Sequence, residues 1–391
     1  MNSKRTVVWQ VIPHLALGGA TRMALSLCLQ LDPQRYETLL LTGPGDSGEG
    51  TLRDETAAQG INVELLPSLR RDISPVHDLA AVRQLRSLIR ARKPDIVHAH
   101  GTKALVAVGL AAAGTSALSV HTAHGWSFHE HMSARTRRVQ AALLRWSLRQ
   151  ADAIIAVSEA TRVKGLNAGV GRAEQYRVIY EGADLQRFIS PPGTREQVRQ
   201  ELNLPLEAPV MGTVMRLSPQ KAPLDWIQAA QRVAAECPEA YFVVIGGGPL
   251  AAEVEERVNS AGLAARFRLT GPRHDVERLV SAFDIFALAS LWEGFPIVYE
   301  EASAAGLPLV GTAVDGAAEL IEEGKTGYLV APKQPEQLAE RAVELLKDLP
   351  KARAMGEAAR ERVFGLGLSV PEIVQRHDEL FQELLSQARR G

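Results

Sequence analysis

The chain is poor in features that mark several large classes of protein. Its 391 residues hold two cysteines, Cys28 and Cys237, far apart and each in an apolar helical context. A disulfide framework is therefore not expected, and a reducing cytoplasm is the natural home. The only long uncharged stretch, residues 104–120, is built from Ala, Gly, Ser and Thr as much as from Val and Leu. It reads as a buried helix followed by a buried strand, not a membrane span. The N-terminal MNSKRTVVWQVIPHLALGG lacks the long apolar region and the small-residue cleavage site of a signal peptide. No Asp-x-Asp pair occurs, so no obvious carboxylate site for Mg²⁺ or Mn²⁺ is on offer and no metal cofactor is expected.

What is present suits a globular protein of two domains, with 46% hydrophobic and 23% charged residues. The net charge of −1 hides an asymmetry. Residues 1–189 hold 23 Lys+Arg against 16 Asp+Glu, and the remainder 21 against 29. A basic first half suggests an anionic partner, a lipid surface or a phosphate-bearing acceptor. Nucleic acid is not expected, because the positive residues are scattered and no nucleic-acid motif accompanies them.

Short apolar runs alternate with amphipathic stretches throughout, the pattern of βαβ units in a doubly wound parallel sheet. Strands are expected at 7–12, 38–41, 62–65, 96–99, 118–122, 153–157 and 177–180. The rhythm restarts at 210–214, 242–245, 266–270, 285–289, 308–310 and 327–330. Segment 188–206, with Pro191, Pro192, Gly193 and Pro205, reads as a hinge linker. The expected organisation is α/β: one Rossmann-like domain over 1–189, a second over 190–370, and a terminal helix over 371–391. Ligands of open α/β sheets bind beyond the carboxyl ends of the strands. Two such edges facing each other would make one two-substrate cleft.

The most informative segment is LASLWEGFPIVYEEASAAGLPLVGT. A loop presents Glu293 and Gly294, Pro296 suits a helix's first turn, and Gly306 closes the helix. The N–H groups of Phe295, Ile297 and Val298 at that helix start would bind a diphosphate. Glu301 can accept both hydroxyls of a ribose, with Glu293 nearer the transferred sugar; the bland reading is that these are solvated acids at a helix start. In GTVMRLSPQKAP, Arg216 and Lys221 either neutralise a leaving diphosphate or form an ordinary surface pair. The Gly18-Gly19 turn lets phosphate or sugar approach the backbone, or serves the turn alone; it is not G-x-G-x-x-G. The histidines of HAHGTK and HTAHGWSFHEH follow strands, and His124 is placed against the donor sugar. Zinc on His98, His100, His121 and His124 is disfavoured, since no cysteine accompanies them. Lys103, Trp126 and Phe128 are the acceptor-side candidates, the two aromatics either stacking on an acceptor ring or filling the core. Residues 132–150 carry Arg135, Arg137, Arg138, Arg145 and Arg149 and no acid, so this helix either lies on an anionic membrane or packs solvated on the sheet.

Taken together, these segments resemble the retaining glycosyltransferases of GT-B architecture, family 4. The resemblance rests on Glu293 and Glu301 in EGFPIVYEEASAAGLPLV, Arg216 and Lys221 in RLSPQK, VIYEGAD, VSEATR, Gly246-Gly247-Gly248-Pro249 and DGAAELIEEGKTGYLV, in order along almost the whole chain. It implies that Arg216 and Lys221 hold the donor diphosphate, Glu301 the ribose and Glu293 the sugar hydroxyls. The 294–298 backbone would meet phosphate or sugar, and the glycines around Gly247 and the loop Gly271 to Arg273 would complete the donor pocket and hold the base. His124 and Gly18-Gly19 would close it from the first domain, and the last helix would cross back onto that domain. The chain departs from the family at Glu181, in a turn that usually reads Pro-Asn-Gly-Val-Asp, and at Thr21, where Glu is common.

The implied reaction is metal-independent transfer of a hexose, with retention, from a nucleotide diphosphate sugar, UDP being the family's first choice. No protein nucleophile is expected. The acceptor would be a sugar or lipid-linked molecule in cell-surface polysaccharide or lipopolysaccharide assembly. The protein would be cytoplasmic, with peripheral contact at the anionic inner face of the plasma membrane. A soluble transferase acting on a small metabolite and a catalytically silent sugar-nucleotide-binding protein are the competing readings.

Overall fold

A computed structural model describes residues 4–16, 18–44, 56, 58–70, 72 and 74–389. They fall into two compact units, one running to Gly182 and resuming at Val370, the other Ala183–Ser369. Among the described residues no helix is long and apolar enough to cross a membrane.

The first unit contains β1 (Thr6–Ile12), β2 (Tyr36–Thr42), β3 (Val63–Leu65), β4 (Ile96–His100), β5 (Leu118–Ala123), β6 (Ala153–Ala156) and β7 (Tyr176–Val178). They form one parallel sheet in the order β3-β2-β1-β4-β5-β6-β7. Helices flank the strands, so inner strands bury both faces and read as near-continuous apolar runs such as VVWQVI. Trp9, Val11, Leu41, Val97, Leu85 and Ile89 belong to the resulting core. The helix Val370–Ala388 also packs here, against the helix Gly19–Gln30. Its apolar stripe, Ile373, Val374, Leu380, Phe381 and Leu384, repeats at helical spacing and is buried. Arg35 fixes it through Asp378 at 2.8 Å, and Arg177 through Glu383 at 2.7 Å.

The second unit contains β8 (Val210–Val214), β9 (Tyr241–Ile245), β10 (Phe267–Gly271), β11 (Ile285–Leu288), β12 (Leu309–Thr312) and β13 (Gly327–Val330). This sheet is parallel too, ordered β10-β9-β8-β11-β12-β13. Trp226 fills its core edge-on to Phe242 and Phe267. In both sheets the strand order reverses beside the first strand, between β1 and β4 and between β8 and β11. Such switch points open a crevice at the carboxyl ends of the strands.

One expectation fails. Segment 188–206 is not a linker but part of the second unit, which begins at Ala183 rather than at 190. Thr194 and Gln197 form a capping box that starts the helix Arg195–Glu201. From that helix the buried Arg199 bonds the carbonyls of Pro205, Leu206, Ala208 and Ala282 and the carboxylate of Asp284. Prolines here shape a tight return, held by a cation that the sequence pattern alone does not announce.

Candidate active site

At the switch point of the second sheet, β8 delivers Arg216 and Lys221 while β11 delivers Ser290 and Glu293. The Lys221 ammonium pairs with Oε1 of Glu293, and the Ser290 hydroxyl donates to the same oxygen at 2.6 Å. The Glu293 N–H donates to Asp315 at 2.9 Å, and Thr312 donates to the Ser290 carbonyl at 2.6 Å. Gln220 closes the other side, donating to the Trp292 carbonyl at 3.0 Å and accepting from the Leu291 N–H at 2.8 Å. Glu293 is thus a buried carboxylate, fixed from three strand ends. A buried charge needs such partners.

The helix Ile297–Ala304 starts directly after this loop. Its N-cap is Pro296, and no side chain caps it, so its first N–H groups and positive dipole end are offered to an anion. Gly294 and Phe295 are buried at its entrance, and Ile297 and Val298 half-buried. Glu301 lies one turn in, half-buried. Tyr299 is buried beneath, and burial, with the Glu293 charge second, holds its phenol well above the ordinary value. Gly311 on β12 must be glycine, because a Cβ there would land on the Tyr299 hydroxyl.

After β9, Gly246 has φ +133° and accompanies the Met215 carbonyl so closely that a side chain would collide with it. Gly247 lies against Pro272, and the Gly246 N–H donates to the Gly271 carbonyl at 3.0 Å. These turns bring β8, β9 and β10 to one edge. Arg216 is exposed there. Arg273 is bound to Asp275 at 2.8 Å and to Glu201 at 3.2 Å, which raises its pKa and anchors the loop. Lys221, Glu293, the helix start and the glycine turns therefore share one sheet edge. Ser290, Asp315 and Gln220 were not singled out from the sequence. Ser290 and Asp315 lie inside the quoted motifs, but their contacts need the strand order to be known.

At the switch point of the first sheet the structure assembles a histidine chain. Nδ1 of His124 lies 2.5 Å from Oε1 of Glu181, and its Nε2 lies 2.9 Å from Nδ1 of His100. Nε2 of His100 lies 2.7 Å from Oε1 of Gln10. His98 bonds Thr122 at 2.7 Å and meets the rings of His100, His377 and Phe381. Burial first, then neighbouring imidazoles, holds His98 and His100 well below the ordinary histidine range. Burial pushes His121 down to about 3 and His377 to about 4. Both ring nitrogens of His124 are thus committed to Glu181 and His100, so as placed it presents its ring edge rather than a spare nitrogen. Glu181, the departure from the family turn, is what occupies it. Among the described residues no group of three or more His, Cys, Asp or Glu side chains is arranged to hold a metal ion.

Gly18 caps the helix Gly19–Gln30 with open space where a Cβ would project. Trp126 and Phe128 correct the acceptor expectation. They stack on each other with centroids 5.3 Å apart inside the core, and the Trp126 indole donates to the Thr161 carbonyl at 2.8 Å. A buried indole whose N–H is satisfied is a packing group. Lys103 is paired with Asp78 at 2.7 Å.

Comparison with known proteins bears on both units. The family described as Glycosyltransferase Family 4 matches residues 17–187, and that described as Glycosyl transferases group 1 matches 194–362. An Escherichia coli relative, a UDP-Gal:alpha-D-GlcNAc-diphosphoundecaprenol alpha-1,3-galactosyltransferase, is 26% identical over 96% of either chain. An N-acetyl-alpha-D-glucosaminyl L-malate synthase of Bacillus anthracis is 26% identical over 81% of this chain and 82% of its own. The Anabaena protein HepE, crystallised with UDP and glucose, superposes with a TM-score of 0.83 over 97% of this chain and 100% of its own, at 24% identity. The chain belongs to the glycosyltransferases of family 4 and group 1, enzymes of GT-B fold that use nucleotide-sugar donors.

Proposed function

We propose that the protein transfers a hexose, with retention and without a metal, from a UDP-sugar to a lipid-linked acceptor in cell-surface polysaccharide or lipopolysaccharide assembly. The observation that carries this reading is the uncapped start of the helix Ile297–Ala304 beside the Lys221–Glu293 pair. The helix start takes the diphosphate, and Arg216 and Lys221 offset its charge as the bond to the sugar breaks. Glu301 takes the ribose hydroxyls. Oε1 of Glu293 is spoken for by Ser290 and Lys221, which aims Oε2 at a sugar hydroxyl. Rate enhancement then comes from positioning and electrostatics, the departing diphosphate accepting the acceptor's proton. The basic first half and the diphosphoundecaprenol acceptor of the Escherichia coli relative favour a lipid-linked acceptor at the inner membrane face. The malate synthase relative supports a small soluble acceptor as the competing reading.

The test is turnover of UDP-, GDP- and ADP-sugars with and without EDTA, followed by NMR of the product's anomeric centre. UDP-sugar turnover indifferent to EDTA, with the donor's configuration kept, is expected. An inverted product, or activity abolished by EDTA, overturns the mechanism.

A further inference from the structure

The helices Pro75–Arg92, Thr102–Ala112 and Ala134–Ser147 of the first unit enclose a trough of about 800 Å³. Its walls are apolar, formed by Leu79, Val82, Val106, Leu110, Leu143 and Trp146. The floor is closed where two helices touch so tightly that a Cβ on Gly109 would strike the Ser147 carbonyl. Trp146 is 61% exposed, and Leu79 and Leu143 are exposed too, although the protein has ample buried positions for such side chains. Large apolar groups bared along one channel mark a binding surface.

The trough has direction. One end lies at Thr102, Lys103 and Ser127, where the helix after β4 begins at the carboxyl edge of the sheet. The other lies at Ala113, Arg149 and Gln150, beyond the far end of that eleven-residue helix, about 16 Å away. No donor-site residue lines it.

Among the described residues its one lining acid, Asp78, is paired with Lys103 at 2.7 Å. The helix that forms the third wall carries Arg135, Arg137, Arg138 and Arg145, Arg149 lines the trough just beyond that helix, and no acid falls between residues 132 and 150. None of the five pairs with an acid among the described residues, whereas Arg5, Arg35, Arg92, Arg162, Arg172 and Arg177 of the same unit do. Arg86, inside the trough, is spent on the carbonyls of Leu110, Ala111 and Ala113. The result is an apolar channel walled on one side by a basic helix, with the Lys103–Asp78 pair at the mouth. A phosphate-bearing lipid has the complementary chemistry.

We propose that this trough is the seat of the hydrocarbon chain of the lipid-linked acceptor, with its phosphate-bearing end at the Lys103 mouth. The inference rests on the lipid-linked reading of the acceptor and adds where the chain lies. It also gives Trp146 a purpose as a reporter, because the indole borders the channel.

The test titrates the full chain with a long-chain polyprenyl phosphate, with inorganic phosphate and the uncharged polyprenol as the other arms, and reads tryptophan emission. A blue shift with polyprenyl phosphate, lost in Trp146→Phe and at least tenfold harder to reach in Leu79→Asp or Leu143→Asp, is expected. Both aspartate variants alter exposed positions and so spare the core. Val106→Trp, which fills the channel, is the second kind of variant and is expected to weaken binding equally. Absence of a shift, or equal affinity in all the folded variants, overturns the proposal. So does binding only to anionic vesicles that lack the polyprenyl lipid, which would mark surface contact alone. The UDP-induced rise in Tm is recorded on the same sample. Polyprenyl binding without that rise sinks the donor assignment and leaves the trough, and the reverse result sinks the trough alone.

Discussion

In the proposed reaction Glu293 serves a donor sugar only while it is held still, and its holder is another charged side chain. On the proposed function, removing Lys221 acts twice: it deletes a cation meant for the diphosphate and frees the carboxylate. Lys221→Ala is expected to lower kcat/KM for the nucleotide sugar by about 10²–10³-fold, as loss of one preorganised electrostatic partner does. Ser290→Ala removes only the neutral donor to the same oxygen and should cost far less; steady-state donor turnover separates the two. A second prediction concerns fit. Gly311→Ala drives a methyl into the Tyr299 hydroxyl and is expected to cost about 1–3 kcal/mol by denaturant titration. Tyr299→Phe in the same chain should recover part of that loss, since it removes the colliding oxygen. That Glu293 and Lys221 each follow a strand end was legible in the sequence. Their partnership was not, since it joins positions 72 apart through the β8–β11 pairing. Trp126 and Phe128 were left open between cleft and core for a related reason: a ring beside a strand end can face either way, and packing puts both in the core.

At the scale of elements, the thirteen strands of the described residues lie close to where apolar runs place them, and the inner ones do so because an inner parallel strand must be apolar on both faces. Their spatial order was not on the page of residues, and the histidine cluster depends on it. Gln10 from β1, His98 and His100 from β4, Thr122 from β5, and His377 from the last helix meet only when β4 lies between β1 and β5. His98, His100, His121 and His377 are neutral in the fold, with Glu181 and His124 the charged-capable neighbours. Their folded pKa values lie below the unfolded value of 6.5, so the unfolded chain binds more protons as pH falls beneath that value. Stability is then complete above about 6.5 and drains away as pH falls, at about 2 kcal/mol by pH 5 for each of His121 and His377. Thermal melts between pH 7 and pH 5 should show a steep fall in Tm, softened in His121→Phe. A flat profile would mean that these imidazoles titrate in the native protein.

For the whole molecule, the alternation of strands and helices announced two α/β units, and the break between them was misplaced. Prolines between 188 and 206 look like a joint, yet a capped helix and Arg199 make that segment part of the second unit. Arg199→Met strips Asp284 and four carbonyls of a buried partner and is expected to cost about 3–5 kcal/mol, read from the unfolding of that unit. The residues from Val370 on behave in the opposite sense: they come last in the chain yet complete the first unit. During synthesis, then, the half that emerges earliest from the ribosome waits with His98 and its neighbours unsealed until the final helix arrives. The later half can fold from a self-contained stretch of nascent polypeptide, so the order of birth and the order of completion are reversed.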